Sequence, residues 1–183
     1  MKEPEIEDRS LAEFVGIMLG DGSIAKYECS DGSGSIKIQR VVKVTISKDE
    51  ESYSRHVSAL YQDLFGFEPA IHKRKNENTL DIGCFRKELF DYMTEEVGLR
   101  TAPKKRRAVV PERYLQGKLS NYLLRGFFDT DGSLVLTDNN GTLYPRLEIK
   151  ISECPMQDQI IDLLEEKRYN FGAYDCGNGK IRI

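Results

Sequence analysis

Two stretches of this chain carry the same pattern 110 residues apart. The first is Leu11-Ala12-Glu13-Phe14-Val15-Gly16-Ile17-Met18-Leu19-Gly20-Asp21-Gly22-Ser23, and the second is Leu123-Leu124-Arg125-Gly126-Phe127-Phe128-Asp129-Thr130-Asp131-Gly132-Ser133. Each is an apolar helical run that ends in Asp-Gly-Ser, with a glycine five residues before the aspartate. The repetition constrains the fold more than any single element, because a unit repeated once must pack against its copy or stand alone. Small residues four apart, Gly16 with Gly20 and Gly126 with Thr130, let two helix backbones approach closely, a steric rule best documented in membranes. Side-by-side packing of the two runs brings Asp21 and Asp131 together.

The segments after the two runs match as well. Ile36 to Ser47 alternates, with Ile36, Ile38, Val42, Val44 and Ile46 on one face and Lys37, Gln39, Lys43, Thr45 and Ser47 on the other; Arg40 and Val41 break the pattern. Its counterpart, Leu143 to Ser152, turns Leu147, Ile149 and Ile151 inward and Arg146, Glu148, Lys150 and Ser152 outward. Asn140-Gly141 is a strong hairpin signal before it, and Asp31 to Ser35 makes a looser turn in the first half. Amphipathic helices come next, one on the stripe Tyr53, Val57, Leu60 and Leu64, the other opening at Pro155 on Met156, Ile160, Leu163 and Leu164. Second hairpins come after them, Ala70 to Lys75 with Thr79 to Cys84, and Gly172 to Cys176 with Lys180 to Ile183 around Asn178-Gly179. A helix on Leu89, Met93 and Val97 closes the first half; the second copy stops one helix short, so either the fold dispenses with it or the natural chain is longer. Capping-box spacing at Ser10 with Glu13 and at Ser47 with Glu50, and a cap at Ser120, mark helix starts, while Gly22 and Gly132 mark stops. The expected fold is α+β, two pseudo-symmetric αββαββα-like repeats at 1–100 and 119–183, joined by a basic linker at 101–118.

A net charge of −3 is unusual for a nucleic-acid binder, but the basic residues are local. From Lys26 to Lys48 five Lys/Arg oppose two acids, and from Arg100 to Lys118 seven oppose one, whereas from Gly132 onward six oppose eight. The run Lys104-Lys105-Arg106-Arg107 reads as a solvated linker able to touch phosphates. No apolar run reaches membrane-spanning length, and Met1 to Arg9 is too charged for a secretory leader, which points to the cytoplasm or nucleoid. Cys29, Cys84, Cys154 and Cys176 form no C-x-x-C pair, so reduced thiols without structural zinc are expected.

Two carboxylates meeting at helix C-termini oppose both the helix dipole and each other. A divalent cation resolves the conflict. Oxygen donors from Asp21 and Asp131, the neighbouring carbonyls of Gly20 and Thr130, and water suit Mg2+, with Mn2+ as a substitute. Asp-Gly alone is common at turns. The third Asp-Gly-Ser, at Asp31, Gly32 and Ser33, has no apolar helix before it and reads as loop.

These paired segments resemble the signature of the LAGLIDADG homing endonucleases, and the order of elements resembles the family's double-motif members over nearly the whole chain. The resemblance implies motif helices at the interface of two halves, saddle-like sheets across double-stranded DNA, and metal-binding by the last acid of each motif, here Asp21 and Asp131. Leu19 stands where the first motif would carry its earlier aspartate, and Asp129 occupies that place in the second. The family also places polar or basic residues near the scissile phosphates; the matching positions include Ser47, Lys48, Arg86 and Lys87 in the first half, with Lys48 the catalytic candidate, and Ser152 and Glu153 in the second. Lys26, Lys37, Gln39, Arg40, Lys43, Lys73, Lys75, Arg146, Lys150, Lys180 and Arg182 are the candidate DNA contacts. The expectation is a monomeric, magnesium-dependent endonuclease that cuts both strands of a long site. The rivals are a cleavage-deficient nucleic-acid-binding protein such as an intron maturase, and an excised intein endonuclease domain.

Overall fold

A computed structural model of the chain describes residues 1–30 and 34–183. The Asp31-Gly32-Ser33 loop and the start of the first turn therefore lie outside the described residues. Helix α1 (Arg9–Leu19) leads into β1 (Gly22–Ser30) and β2 (Ile36–Ser47), then α2 (Glu51–Phe65), β3 (Ala70–Lys73) and β4 (Thr79–Cys84). Helix α3 (Lys87–Asp91) continues into a wider π turn at Tyr92–Glu96. After the connecting segment, with one 3-10 turn at Glu112–Leu115, the order recurs: α4 (Leu119–Asp131), β5 (Gly132–Asn139), β6 (Thr142–Ile151), α5 (Pro155–Glu166), β7 (Tyr174–Asp175) and β8 (Ile181–Arg182). Both sheets are antiparallel, ordered β1-β2-β4-β3 and β5-β6-β8-β7. Among the described residues no helix is long and apolar enough to cross a membrane.

The turn chemistry agrees with the sequence. Asn140 and Gly141 both take positive φ (52° and 82°), as do Asn178 and Gly179 (54° and 70°), the two-residue turn whose twist suits a hairpin. The Asp138 carboxylate accepts the Gly141 N–H at 2.7 Å and holds the first of them. The helix starts differ from expectation. Asp8, not Ser10, caps α1, accepting from the N–H groups of Ser10 and Leu11 at 2.7 and 3.3 Å. An aspartate accepts without spending a proton and also complements the helix dipole, so it wins over the serine two residues on. Glu13 is thereby free to turn inward, where it is buried beside His56, 2.6 Å away, and Arg125 at 3.5 Å. Ser120 is buried inside the first turn of α4 and donates to the Gly117 carbonyl at 2.8 Å rather than capping the helix. At α2 only half the expected box forms: the Glu50 carboxylate accepts the Ser47 N–H at 3.3 Å, while no side chain caps the helix.

Helices α1 and α4 lie against each other through bare backbone. A Cβ added at Gly16 would stand 2.1 Å from the Leu123 carbonyl oxygen and 2.8 Å from the Phe127 nitrogen, and one at Gly126 would stand 2.0 Å from the Glu13 carbonyl oxygen. The reciprocity makes the contact pseudo-symmetric: each glycine receives the backbone opposite the other. One turn further on, a Gly20 Cβ would fall 2.0 Å from Thr130 Oγ1. Around this seam Leu11, Phe14, Val15, Ile17, Leu123 and Phe127 are almost completely buried in one core that continues into both sheets. Gly126→Ala should therefore destabilise the chain by about 3 kcal/mol, the upper range for overpacking, because backbone cannot yield as a side chain does. Equilibrium urea unfolding measures this, and an unchanged midpoint would show that the helices are not in backbone contact.

Candidate functional site

Both motif helices deliver their aspartates to one place. The Asp131 Oδ2 atom lies 3.3 Å from where a Gly20 Cβ would sit, so the acid of α4 stands beside the last turn of α1. Burial first, and then the charge of Asp131, raise the Asp21 carboxyl to about 6, against the opposing pull of nearby Lys104. Asp131 is also raised by burial, against the pull of Lys104. Both residues nevertheless keep part of their surface open to solvent. The backbone ties the site to the first sheet, with the Thr45 N–H donating to the Asp21 carbonyl at 3.1 Å.

Lys104 is the residue that sequence reasoning missed. It sits in the connecting segment, yet its ammonium donates to the carbonyls of Met18 (3.3 Å), Leu19 (2.9 Å) and Gly20 at the end of α1. Burial lowers its pKa, and attraction to Asp131 and Asp21 holds it up. A cation therefore already rests on the Gly20 carbonyl and balances the two acids. Within the basic run only Lys104 is drawn in, while Lys105, Arg106 and Arg107 are exposed as a linker should be. Nothing in the local sequence separates Lys104 from its neighbours; the signal is the need for positive charge beside two convergent carboxylates.

Lys48 goes elsewhere. Its ammonium donates to the carbonyls of Arg74 and Glu77, at 3.0 and 2.5 Å, and so closes the β3–β4 turn. Glu153 faces Arg106 at 3.3 Å. Asp129 faces Arg125, 3.8 Å away and one helical turn back, in the group that contains Glu13 and His56. Thr130 uses its hydroxyl within α4, donating to the carbonyls of Gly126 and Phe127 at 3.2 and 2.9 Å.

Strand register sorts the candidate DNA contacts by face. The pairing runs without a bulge from Ile36 to Ser47, so Lys37, Gln39 and Lys43 share one face with Thr45, while Arg40 shares the other with Ile38 and Val42. Lys26 pairs with Arg40 and Lys73 with Leu80, which places both on that opposite, core-side face. The break at Arg40 and Val41 is thus a polar residue on the apolar side, not a slip of register. Lys26 stands over the Phe90 ring at 5.1 Å, and the Arg40 Nε is buried without a hydrogen-bond partner. In the second sheet Arg146, Lys150 and Arg182 share the outer face, with Arg182 over Tyr174 and 3.9 Å from Glu148. Lys75 and Lys180 lie in turns next to the strands.

Lys43 is held by an acid that the sequence pattern does not single out. Asp81 accepts from Lys43 at 2.8 Å, Thr45 at 2.7 Å and Arg74 at 2.9 Å. Burial alone would raise the Asp81 carboxyl, but the hydrogen bonds from Arg74, Lys43 and Thr45 together outweigh it and bring the pKa down to about 2. The outer face of the first sheet therefore presents two preoriented cations around one anion. Among the described residues no group of three or more His, Cys, Asp or Glu is arranged to hold a metal. A cation at Asp21 and Asp131 would draw its remaining ligands from carbonyl and water, as Mg2+ commonly does.

The pair has a thermodynamic signature. Because the folded-state pKa of Asp21 is raised from 3.8 to about 6, the folded chain binds the extra proton, and stability declines as pH rises through that window. Asp21→Asn, in buffer free of divalent ions, should raise the melting temperature at pH 7 by about 2–4 °C, or roughly 1 kcal/mol after solvent screening of a part-exposed acid. The gain should vanish by pH 4. A lower melting temperature at pH 7 would mean that the carboxylate is stabilising as it stands.

No family model matches the chain. Among curated proteins it is similar to a DNA polymerase of Methanocaldococcus jannaschii, 27% identical over 126 residues, which is 66% of this chain and 7% of the polymerase. It is likewise similar to a DNA polymerase of Thermococcus kodakarensis, 25% identical over 127 residues, 67% of this chain and 7% of that protein. The chain thus spans about 7% of the length of these relatives. Among solved structures it resembles I-DmoI in complex with DNA and Mn, at a TM-score of 0.65 and 16% identity over 95% of this chain and 87% of the other. It also resembles the meganuclease I-SmaMI bound to uncleaveable DNA, at a TM-score of 0.65 and 13% identity over 98% and 78% of the two chains. I-DmoI is a homing endonuclease, and with two motif helices at the seam of two antiparallel sheets, this protein has the LAGLIDADG homing endonuclease fold.

Proposed function

We propose that the protein is a site-specific DNA endonuclease that hydrolyses one phosphodiester on each strand of a long duplex site. One observation carries the reading: Asp21 and Asp131, from the two halves of the chain, are held together at part-exposed helix ends with a raised affinity for positive charge. Structural relatives crystallised with DNA and with Mn or Ca support the substrate class and a divalent-ion requirement. Mg2+ is the physiological ion we assign, held by Asp21 and Asp131 with the Gly20 and Thr130 carbonyls adjacent. When bound, such an ion supplies an activated water and stabilises charge on the leaving oxygen.

The chain's own residues do the rest. Asp21 and Asp131 belong to different halves, so one centre can serve both strands. Lys104 offers a buried ammonium to the negative charge that develops on the phosphate, in a setting where desolvation strengthens the interaction. The outer-face residues Lys37, Gln39, Lys43, Arg146, Lys150 and Arg182 bind and orient the duplex, with Lys75 and Lys180 at the turns. Lys26, Arg40 and Lys73 stand behind that face and contribute support rather than base contacts. Lys48 acts as a clamp on the β3–β4 turn, so its loss should affect binding more than chemistry. The domain division at 1–100, 101–118 and 119–183 is useful with one change: the linker supplies a site residue.

The target is found by selection from a randomised duplex library in Mg2+, with bound and cut molecules sequenced separately. On the selected site Asp21→Asn and Asp131→Asn should each abolish double-strand cleavage while binding stays within a few-fold of wild type. Lys104→Met should slow cleavage about 100-fold, the size of one lost preorganised electrostatic contact. Retention of duplex binding without cutting by the wild-type chain in either Mg2+ or Mn2+ would replace the endonuclease with the cleavage-deficient binding protein.

A further inference from the structure

The two halves can be compared position by position. Gly22 pairs with Val44 and Gly132 with Ile149, so Ile24 and Val42 in the first hairpin correspond to Leu134 and Leu147 in the second. By the same register Lys26 and Arg40 correspond to Leu136 and Pro145, and Ile38 corresponds to Leu143. In the first half Ile24 and Val42 are 3% and 0% exposed. Their counterparts Leu134 and Leu147 are 67% and 68% exposed, and Leu136 is 61% exposed.

The cover over the first half is identifiable. Helix α3 packs on β2. Phe90 lies under Lys26, and the chain leaving the π turn reaches β1, where the Ala102 N–H donates to the Ile24 carbonyl at 2.7 Å. Leu89, Met93, Val97 and Leu99 are buried there. Among the described residues no helix takes that place beneath β5 and β6. These leucines share the face of Ile149 and Ile151, the core side, so DNA on the outer face would leave them uncovered. Contiguous exposed leucines of this kind mark an interaction site.

We infer that the core-side face of the β5–β6 hairpin, centred on Leu134, Leu136 and Leu147, is a docking surface for one amphipathic helix of a partner, bound as α3 is bound in the first half. The established α3 contact is the template, and the substitutions specify the partner. Where Lys26 and Arg40 lie near Asp91 of α3, the second half has Leu136 and Pro145, so the docked helix carries an apolar residue in place of that acid. A few leucine-sized side chains fall well short of the roughly 800 Å² per partner of a stable dimer, which favours a single helix over a second copy of the chain.

The probe is a synthetic helix with the sequence of residues 86–99 carrying Asp91→Leu, titrated into the full chain and followed by methyl NMR. Saturable shifts confined to Leu134, Leu136, Leu143 and Leu147 are expected, with the unaltered Asp91 peptide at least tenfold weaker. Leu136→Glu, at an exposed position that cannot disturb the core, should abolish the shifts and leave melting unchanged. Absence of binding by either peptide would overturn the proposal. So would concentration-dependent dimerisation of the chain that Leu136→Glu removes, since the surface would then belong to a second copy.

Discussion

The close approach of α1 to α4 is the constraint on which the rest depends. Gly16 and Gly126 each leave room for the backbone of the other helix, to the extent that even a methyl group would overlap a carbonyl oxygen. Once that contact is fixed, the helix ends are fixed, and with them the starts of β1 and β5 and the positions of Asp21 and Asp131. Each half thereby contributes one sheet and one acid to a common centre. The wide hydrophobic core supports the seam, but a core of similar size could pack at a longer spacing. Glycine is what makes the spacing short.

Short spacing creates an electrostatic problem, since two acids are forced together where helix carbonyls also point. The chain answers with Lys104, whose ammonium sits on those carbonyls and between the fields of both acids. A site built this way is poised for a cation of higher charge, because the carboxylates are already brought together and partly desolvated. The first sheet uses the inverse device, one acid, Asp81, holding the cations Lys43 and Arg74 in place. Each cluster keeps its long side chains ordered before any partner arrives, which reduces the entropy lost on binding.

Much of this was legible in the sequence because the signals were local or repeated. The alternation from Ile36 to Ser47 matches β2 at both ends, and the Asn-Gly pairs mark both second-half hairpin turns. The paired Asp-Gly-Ser segments revealed the central seam because small residues at matching positions have a steric meaning. The misses came from long-range contacts. Glu13 reads as half of a capping box until His56 and Arg125 are brought to it, and Asp8 takes the cap instead. Arg40 reads as an outer-face residue only if the strand slips, and the pairing with both neighbours forbids it. Lys104 rather than Lys48 stands beside the two acids for the same reason: which lysine reaches them is decided by the path of the connecting segment, and periodicity carries no information about that path. Leu147 of the second hairpin reads as inward-facing, which is correct for its side of the sheet, although nothing among the described residues covers it.

The central claim is that one cation is shared by the ends of two helices from different halves of the chain. Replacing Mg2+ with Fe2+ and adding ascorbate and peroxide generates radicals that cut the polypeptide within a few ångströms of the bound metal. Mass spectrometry of the DNA-bound protein should then find breaks at both Gly20–Gly22 and Thr130–Gly132, in equal yield, and both should disappear together in Asp21→Asn. Breaks in only one half, or a second cluster that persists in Asp21→Asn, would contradict a shared centre.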